Sequence, residues 1–147
     1  MWADTLGVNV QLVNQEWAVF LETIRGADTP QIYRLGWCQD YPDANNFIRE
    51  NFDANGSANP YTNDQPSGGV HYSNPEFFEL LHQAAAESDP AARLEMYAQA
   101  EETLVVEDAV IAPIYWYSRN TVTKPYVERT FGVGGQEALE KWDILPH

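Results

Sequence analysis

Apolar and polar residues alternate over Val8-Asn9-Val10-Gln11-Leu12, the period of a half-buried strand. From Trp17 the period changes. Trp17, Phe20, Leu21 and Ile24 fall at i, i+3, i+4 and i+7, the apolar stripe of a helix. Asn14 is its expected cap and Gly26 its expected end. Thr29-Pro30 then turns the chain into a second extended run, residues 31–37. The opening therefore predicts a β-α-β unit, parallel and right-handed.

The middle of the chain reads as helices. Residues 44–52 predict a short one, and residues 53–69, rich in Asn, Gly, Ser and Pro, a long surface loop. Ser73 or Asn74 with Pro75 marks a helix start, and Phe77, Leu80, Leu81 and Ala84 give that helix an apolar face. Asp89-Pro90 repeats the device, and Leu94, Tyr97, Ala98 and Leu104 are expected to point inward. Arg93 is expected to pair with nearby glutamates on the surface. Residues 110–117 and 121–123 read as strands, with Pro113 placing the first at an edge or bulge. Phe131-Gly132-Val133-Gly134-Gly135 reads as a turn without the context of a phosphate loop. The tail is expected to dock through Trp142, Ile144 and Leu145. The chain divides into 1–37, the β-α-β unit; 38–109, crossover loop and helices; and 110–147, terminal strands and a return segment.

Composition narrows the function. A hydrophobic content of 44% with 13% aromatics describes a globular protein rather than a disordered one, and the opening β-α-β unit makes its expected class α/β. The formal net charge of −14 leaves no basic patch for nucleic acid or an anionic membrane. It would suit capture of cationic ligands, but a plain solvated acidic surface is the expected reading. No apolar run approaches the ~20 residues of a membrane span. The first residues carry no basic n-region or apolar h-region of a signal peptide. The three histidines lack metal-ligand spacing, and Ser118 has no nucleophile-elbow context. Asp53-Ala54-Asn55-Gly56 fails as a calcium loop, its glycine coming too early. Asp40 with Asp43 or Glu50 is the one hydrolytic pair to weigh, and chance pairs are expected in so acidic a chain. An enzyme is not expected.

One stretch concentrates chemistry: Arg34-Leu35-Gly36-Trp37-Cys38-Gln39-Asp40-Tyr41-Pro42-Asp43. Alternation sends Arg34 and Gly36 to one face and Leu35 and Trp37 to the other. Asp40 stands in the turn beyond, as an anchor for a positive group or as a turn former. Arg34 in a strand of an acidic protein calls for a buried partner. Arg25, at a helix end, either meets a ligand or complements the helix dipole. Trp17 belongs to an apolar stripe. Cys38, the only cysteine, reads as a small hydrophobe.

Trp-Cys-x-Asp-Tyr, preceded by Gly36 and Arg34, resembles a signature of the bacterial oligopeptide-binding proteins, in the peptide/nickel family of ABC-transporter solute-binding proteins. Leu6-Gly7-Val8-Asn9-Val10, Asn14-Gln15-Glu16-Trp17, Ala112-Pro113-Ile114-Tyr115-Trp116-Tyr117 and Lys124-Pro125 match too, so the resemblance runs over most of the chain. Ala44 departs from it, standing where the family often has proline. The resemblance implies the C-terminal segment of a two-lobed periplasmic-binding-protein (type II) fold that closes over a peptide. Asp40 would hold the peptide ammonium, Arg34 or Arg25 its carboxylate, and Trp37, Trp17 and Tyr117 would line the cleft. The cysteine equivalent to Cys38 would pair with one far upstream. The implied partners are an oligopeptide, the ABC permease and the N-terminal lobe of the same receptor. The implied location is periplasmic or extracytoplasmic, with any anchor upstream, and no cofactor is implied. A nickel chelate, sugar or haem as solute, or a fragment that folds without binding, are the alternatives.

Overall fold

The computed structural model describes residues 1–132 and 137–147. Helices dominate, with two small two-stranded sheets. The helices are α1 (Trp2–Leu6), α2 (Trp17–Arg25), α3 (Ala44–Phe47), α4 (Arg49–Phe52), α5 (Pro75–Ala86) and α6 (Pro90–Glu102). Antiparallel β1 (Tyr61–Thr62) pairs with β2 (Gln65–Pro66), and β3 (Val127–Glu128) with β4 (Asp143–Ile144).

The two longest helices begin where the sequence supplies caps. The Asn74 side chain accepts from the amides of Glu76 and Phe77, both at 3.1 Å, ahead of Pro75. Asp89 accepts from Ala91 and Ala92 at 3.0 and 2.8 Å, ahead of Pro90. Each cap satisfies amides with no partner inside the helix. At the far end of α6 the coil widens into a π-helical turn, Thr103–Glu107, and there the Tyr72 hydroxyl and the Asn74 amide both donate to Asp108, at 2.6 and 2.9 Å. Asn74 thus starts α5 and ties it to the end of α6. α5 and α6 enclose the core of Ile48, Tyr72, Phe77, Leu81, Ala84, Tyr97, Ala100 and Leu104.

Leu94 and Ala98 do not face inward as expected; Leu94 is 67% exposed. The inward row is Arg93, Tyr97, Ala100 and Leu104. At 3.6 residues per turn this row centres about 90° from Leu94, and further from Ala98. Arg93 does not pair with glutamates either. Its guanidinium lies 5.0 Å over the Tyr97 ring and grips Asp43 with two bonds of 2.7 and 2.8 Å.

Residues 53–69 are a surface loop held from within. Buried Asn59 donates to the Tyr72 carbonyl at 2.9 Å and accepts from the Tyr72 amide at 3.0 Å. The β1–β2 hairpin turns through Asn63 and Asp64, both at positive φ, the pair a type I′ turn requires. The Gly69 amide donates to the Ile24 carbonyl at 2.7 Å, docking the loop on the end of α2. At Gly68 a Cβ would sit 2.3 Å from the Arg25 carbonyl oxygen, so only glycine permits this approach.

The flanks differ from the expected strands. Helix α2 is present and ends at Gly26, but its cap is Glu16, not Asn14: the Glu16 carboxylate accepts from Ala18 at 2.9 Å. Of its apolar stripe only Ile24 is buried, under the Gly68–Gly69 backbone, while Trp17 is 60% exposed. Neither residues 8–12 nor residues 31–37 form a ladder, so the β-α-β unit is not closed among the described residues. Leu12 is 96% exposed. Residues 110–117 and 121–123 likewise run without strand pairing, and Val110 and Ile111 alone pack against the core. A strand needs a neighbour for its backbone groups, and the described residues offer none here.

The tail docks through Trp142, as expected, but not through Ile144. Ile144 is 67% exposed in β4, while Arg129 stacks over Trp142 at 4.8 Å and pairs with Glu137. The turn expected at residues 131–135 falls mostly outside the described residues, which omit 133–136.

Candidate functional site

The stretch from Tyr33 to Asp40 keeps the alternation of a strand although no strand pairs with it among the described residues. Tyr33, Leu35 and Trp37 face α2 and line a cavity of about 60 Å³ with Leu21, Ile24 and Arg25. Arg34 and Gly36 face the opposite way, towards Tyr115 and Tyr117. One guanidinium nitrogen of Arg34 donates to both tyrosine hydroxyls, at 2.5 Å to Tyr117. The two rings meet edge to face with centroids 5.0 Å apart. The Tyr117 ring lies so close to Gly36 that a Cβ there would be 2.9 Å from it.

Arg34 is therefore not buried with a carboxylate, as a cation in a strand would suggest. It is exposed, and its charge is shared by two phenols. Those hydrogen bonds, Tyr115 first, raise its pKa further above the ordinary guanidinium value. Tyr115 is lowered, chiefly by its bond to Tyr117, while Tyr117 is raised by the same bond. Tyr115 was not singled out from the sequence. The Tyr-Trp-Tyr spacing, which puts two phenols on one face of an extended run, was the signal available.

The other end of the stretch is held by α3. Asp43 caps this helix, its carboxylate accepting from the Asn45 amide at 2.8 Å, and the Arg93 grip on the same group fixes the cap to α6. The Arg93 hydrogen bonds hold Asp43 below the usual carboxylate range, with burial opposing. That leaves Asp43 ionised and committed, which ends its candidacy as a proton donor. Asn46, fully buried on α3, accepts from the Trp37 indole and from the Asp40 amide, both at 3.0 Å. It donates to Glu50 at 2.7 Å and to the Asp40 carboxylate at 3.3 Å. Tyr41 donates to Glu50, and Tyr97 donates to Asn45 at 2.8 Å.

Of the expected site residues, Arg34 and Tyr117 are joined directly, and Trp37 and Asp40 are joined through Asn46. Arg25 shares the small cavity with Trp37, its side chain in the last turn of α2. Cys38, next to Trp37 in the chain, is exposed and free. Trp17 stands apart, its one ring contact among the described residues being Phe20 at 5.8 Å. Among the described residues no group of His, Cys, Asp and Glu is placed to hold a metal ion, and no helix is long and apolar enough to cross a membrane.

No family model matches the chain. Individual proteins do. It is 35% identical over 140 residues, 95% of its length, to the periplasmic oligopeptide-binding protein OppA of Salmonella typhimurium, of which it covers 23%. Against the oligopeptide-binding protein OppA of Bacillus subtilis, identity is 36% over 80% of the chain and 20% of the relative. A probable deoxycholate-binding periplasmic protein of Escherichia coli is 30% identical over 86% of the chain and 21% of its own length. The chain thus spans about a fifth of the length of these relatives.

Proposed function

We propose a receptor function, and its premise is kinship: over most of its length the chain is homologous to the C-terminal part of the OppA-type oligopeptide-binding proteins of solute-binding family 5. These homologues are solute-binding proteins, not enzymes. The protein captures extracytoplasmic peptides and hands them to an ABC importer, its two lobes closing over the ligand.

The observation that carries this reading is the placement of Asp40. Its carboxylate is exposed on the turn after the extended stretch, beside the Trp37 indole and bonded to the same buried amide. Every peptide has one α-ammonium, so one fixed carboxylate serves all sequences. Such a charge-assisted bond contributes about 1.5–3 kcal/mol. Arg34 takes the peptide carboxylate with the edge of its fork that the tyrosines leave open, and Tyr117 and Trp37 flank the ligand. Arg34 is preferred to Arg25, which sits where it complements the C-terminal end of α2. Cys38 lies beside the ligand or bonds to a cysteine upstream, and Trp17 plays a lesser part. The unpaired extended runs at 31–37 and 111–117 suit pairing with a peptide backbone and with strands of the rest of the receptor. No cofactor enters the scheme.

A second reading is a non-peptide solute, favoured by the relative named for deoxycholate. Calorimetric titration of the complete gene product with a short peptide and its N-acetylated twin separates the two. The peptide reading predicts binding of the free peptide, weakened roughly tenfold to a hundredfold by acetylation, and the same loss in Asp40→Ala. Equal binding of both removes Asp40 as the anchor, and binding of neither sinks the peptide receptor.

A further inference from the structure

The Asn46 side chain has two acceptor positions and two donor hydrogens. All are used at once. The oxygen receives the Trp37 indole N–H and the Asp40 backbone N–H, each at 3.0 Å. The nitrogen gives its hydrogens to Glu50 at 2.7 Å and to the Asp40 carboxylate at 3.3 Å. This network fixes which end of the amide is which. Turned over, the oxygen would face two carboxylates and the nitrogen would face two N–H donors.

Asn46 is also held from the core side. It is fully buried, and its own carbonyl accepts from the Asn51 side chain at 3.0 Å. The helix that carries it is capped by Asp43, which Arg93 ties to α6. A buried amide therefore reaches from the core to both the aromatic wall and the carboxylate of the candidate site. Asp40 itself lies on an exposed turn and has no helix of its own to orient it.

We infer that Asn46 is a positioning residue for recognition of the ligand ammonium: it sets the Asp40 carboxylate and the Trp37 ring at a fixed offset, so that the preference for an unblocked peptide N-terminus depends on a side chain that never touches the peptide. This rests on the receptor reading above. A mobile carboxylate still attracts a cation, but it loses part of each binding event to ordering the turn. Asn46 thus acts on selectivity between free and blocked termini more than on overall affinity.

The test is a titration of the complete receptor with a free tripeptide and its N-acetylated form, in wild type, Asn46→Ala, Asp40→Ala and the double variant. A thermal melt of each checks cooperative folding. The expected result is a preference for the free peptide that falls about tenfold in Asn46→Ala. In the double variant it falls no further than in Asp40→Ala, because the two residues act through one carboxylate. A preference unchanged in Asn46→Ala but lost in Asp40→Ala overturns the inference and leaves Asn46 a structural amide. Additive losses overturn it as well. Absence of any preference in wild type shows instead that the ammonium reading is wrong, and the inference falls with it. If Asn46→Ala does not melt cooperatively, Asn46→Ser is read in its place. It keeps one hydroxyl, and its preference is expected to lie between wild type and Asp40→Ala; a wild-type value overturns the inference.

Discussion

The helical body and the extended flanks are built from similar residues and bury them very differently. In the body Leu81, Ala84 and Ala100 are 0% exposed and Phe77 2%; in the flanks Leu12 is 96% exposed, Trp116 86% and Val122 103%. The contrast is one of hydrogen bonding before it is one of hydrophobicity. A capped helix satisfies its own backbone and needs only one covering face. An extended run satisfies nothing until another strand lies beside it. The body supplies its own cover: α5 and α6 close on each other, and buried Asn59 binds the 53–69 loop to Tyr72. The flanks wait for neighbours. Among the described residues the extended flanks have no strand beside them.

The contrast can be broken in graded steps. The largest effect is expected from Leu81→Ala, which opens a cavity between α5 and α6. It should cost about 2–5 kcal/mol in urea unfolding. Asn59→Ala comes next, at about 1–3 kcal/mol, because it leaves the Tyr72 amide buried without its acceptor and takes one of two donors from the Tyr72 carbonyl, the Tyr61 hydroxyl remaining. A midpoint unchanged in that variant would mean that the loop is not held from within. Asp43→Asn is smaller, about 1 kcal/mol at neutral pH, since the Arg93 pair is partly exposed and screened. Leu12→Ala should change stability by less than about 0.5 kcal/mol, as expected of a side chain in solvent.

Asp43 also sharpens the comparison through pH. Its folded pKa lies below the unfolded value of about 3.9. The stability from the pair is thus fully present above that value and is lost as pH falls through the lower folded one. Urea midpoints followed from pH 7 to pH 3 should fall less steeply in Asp43→Asn than in wild type. Parallel curves would place the acid sensitivity elsewhere, with Asp108, lowered by Tyr72 and Asn74, the next group to test.

The same division explains what the sequence allowed to be read. Asn74 and Asp89, with Pro75 and Pro90, announce their helices locally, and those helices form where the signals stand, whereas the one helix expected at 44–52 is divided at Ile48 into α3 and α4. The alternation of residues 33–37 also survives: Arg34 and Gly36 face Tyr117, while Leu35 and Trp37 face α2. What was not legible is long-range. Arg93 finds Asp43 fifty positions away in the chain, and Arg34 finds Tyr117 at a separation of 83. Neither partner is implied by any local pattern. The buried asparagines read as loop or surface polar residues, because burial of an amide depends on partners that only the fold assembles. Asn46 and Asn51, each followed by phenylalanine, carried the one hint: a polar residue beside a core side chain on a short capped helix.

The central claim is that residues 43–110 hold the hydrogen-bonded core while the extended flanks have no strand partner among the described residues. Hydrogen exchange of residues 1–147, read peptide by peptide, tests it most directly. The account predicts slow exchange across α5, α6 and the 56–72 segment, and rapid exchange across 8–13, 31–36 and 112–123. Protection of those flanking amides equal to that of α5 would contradict it.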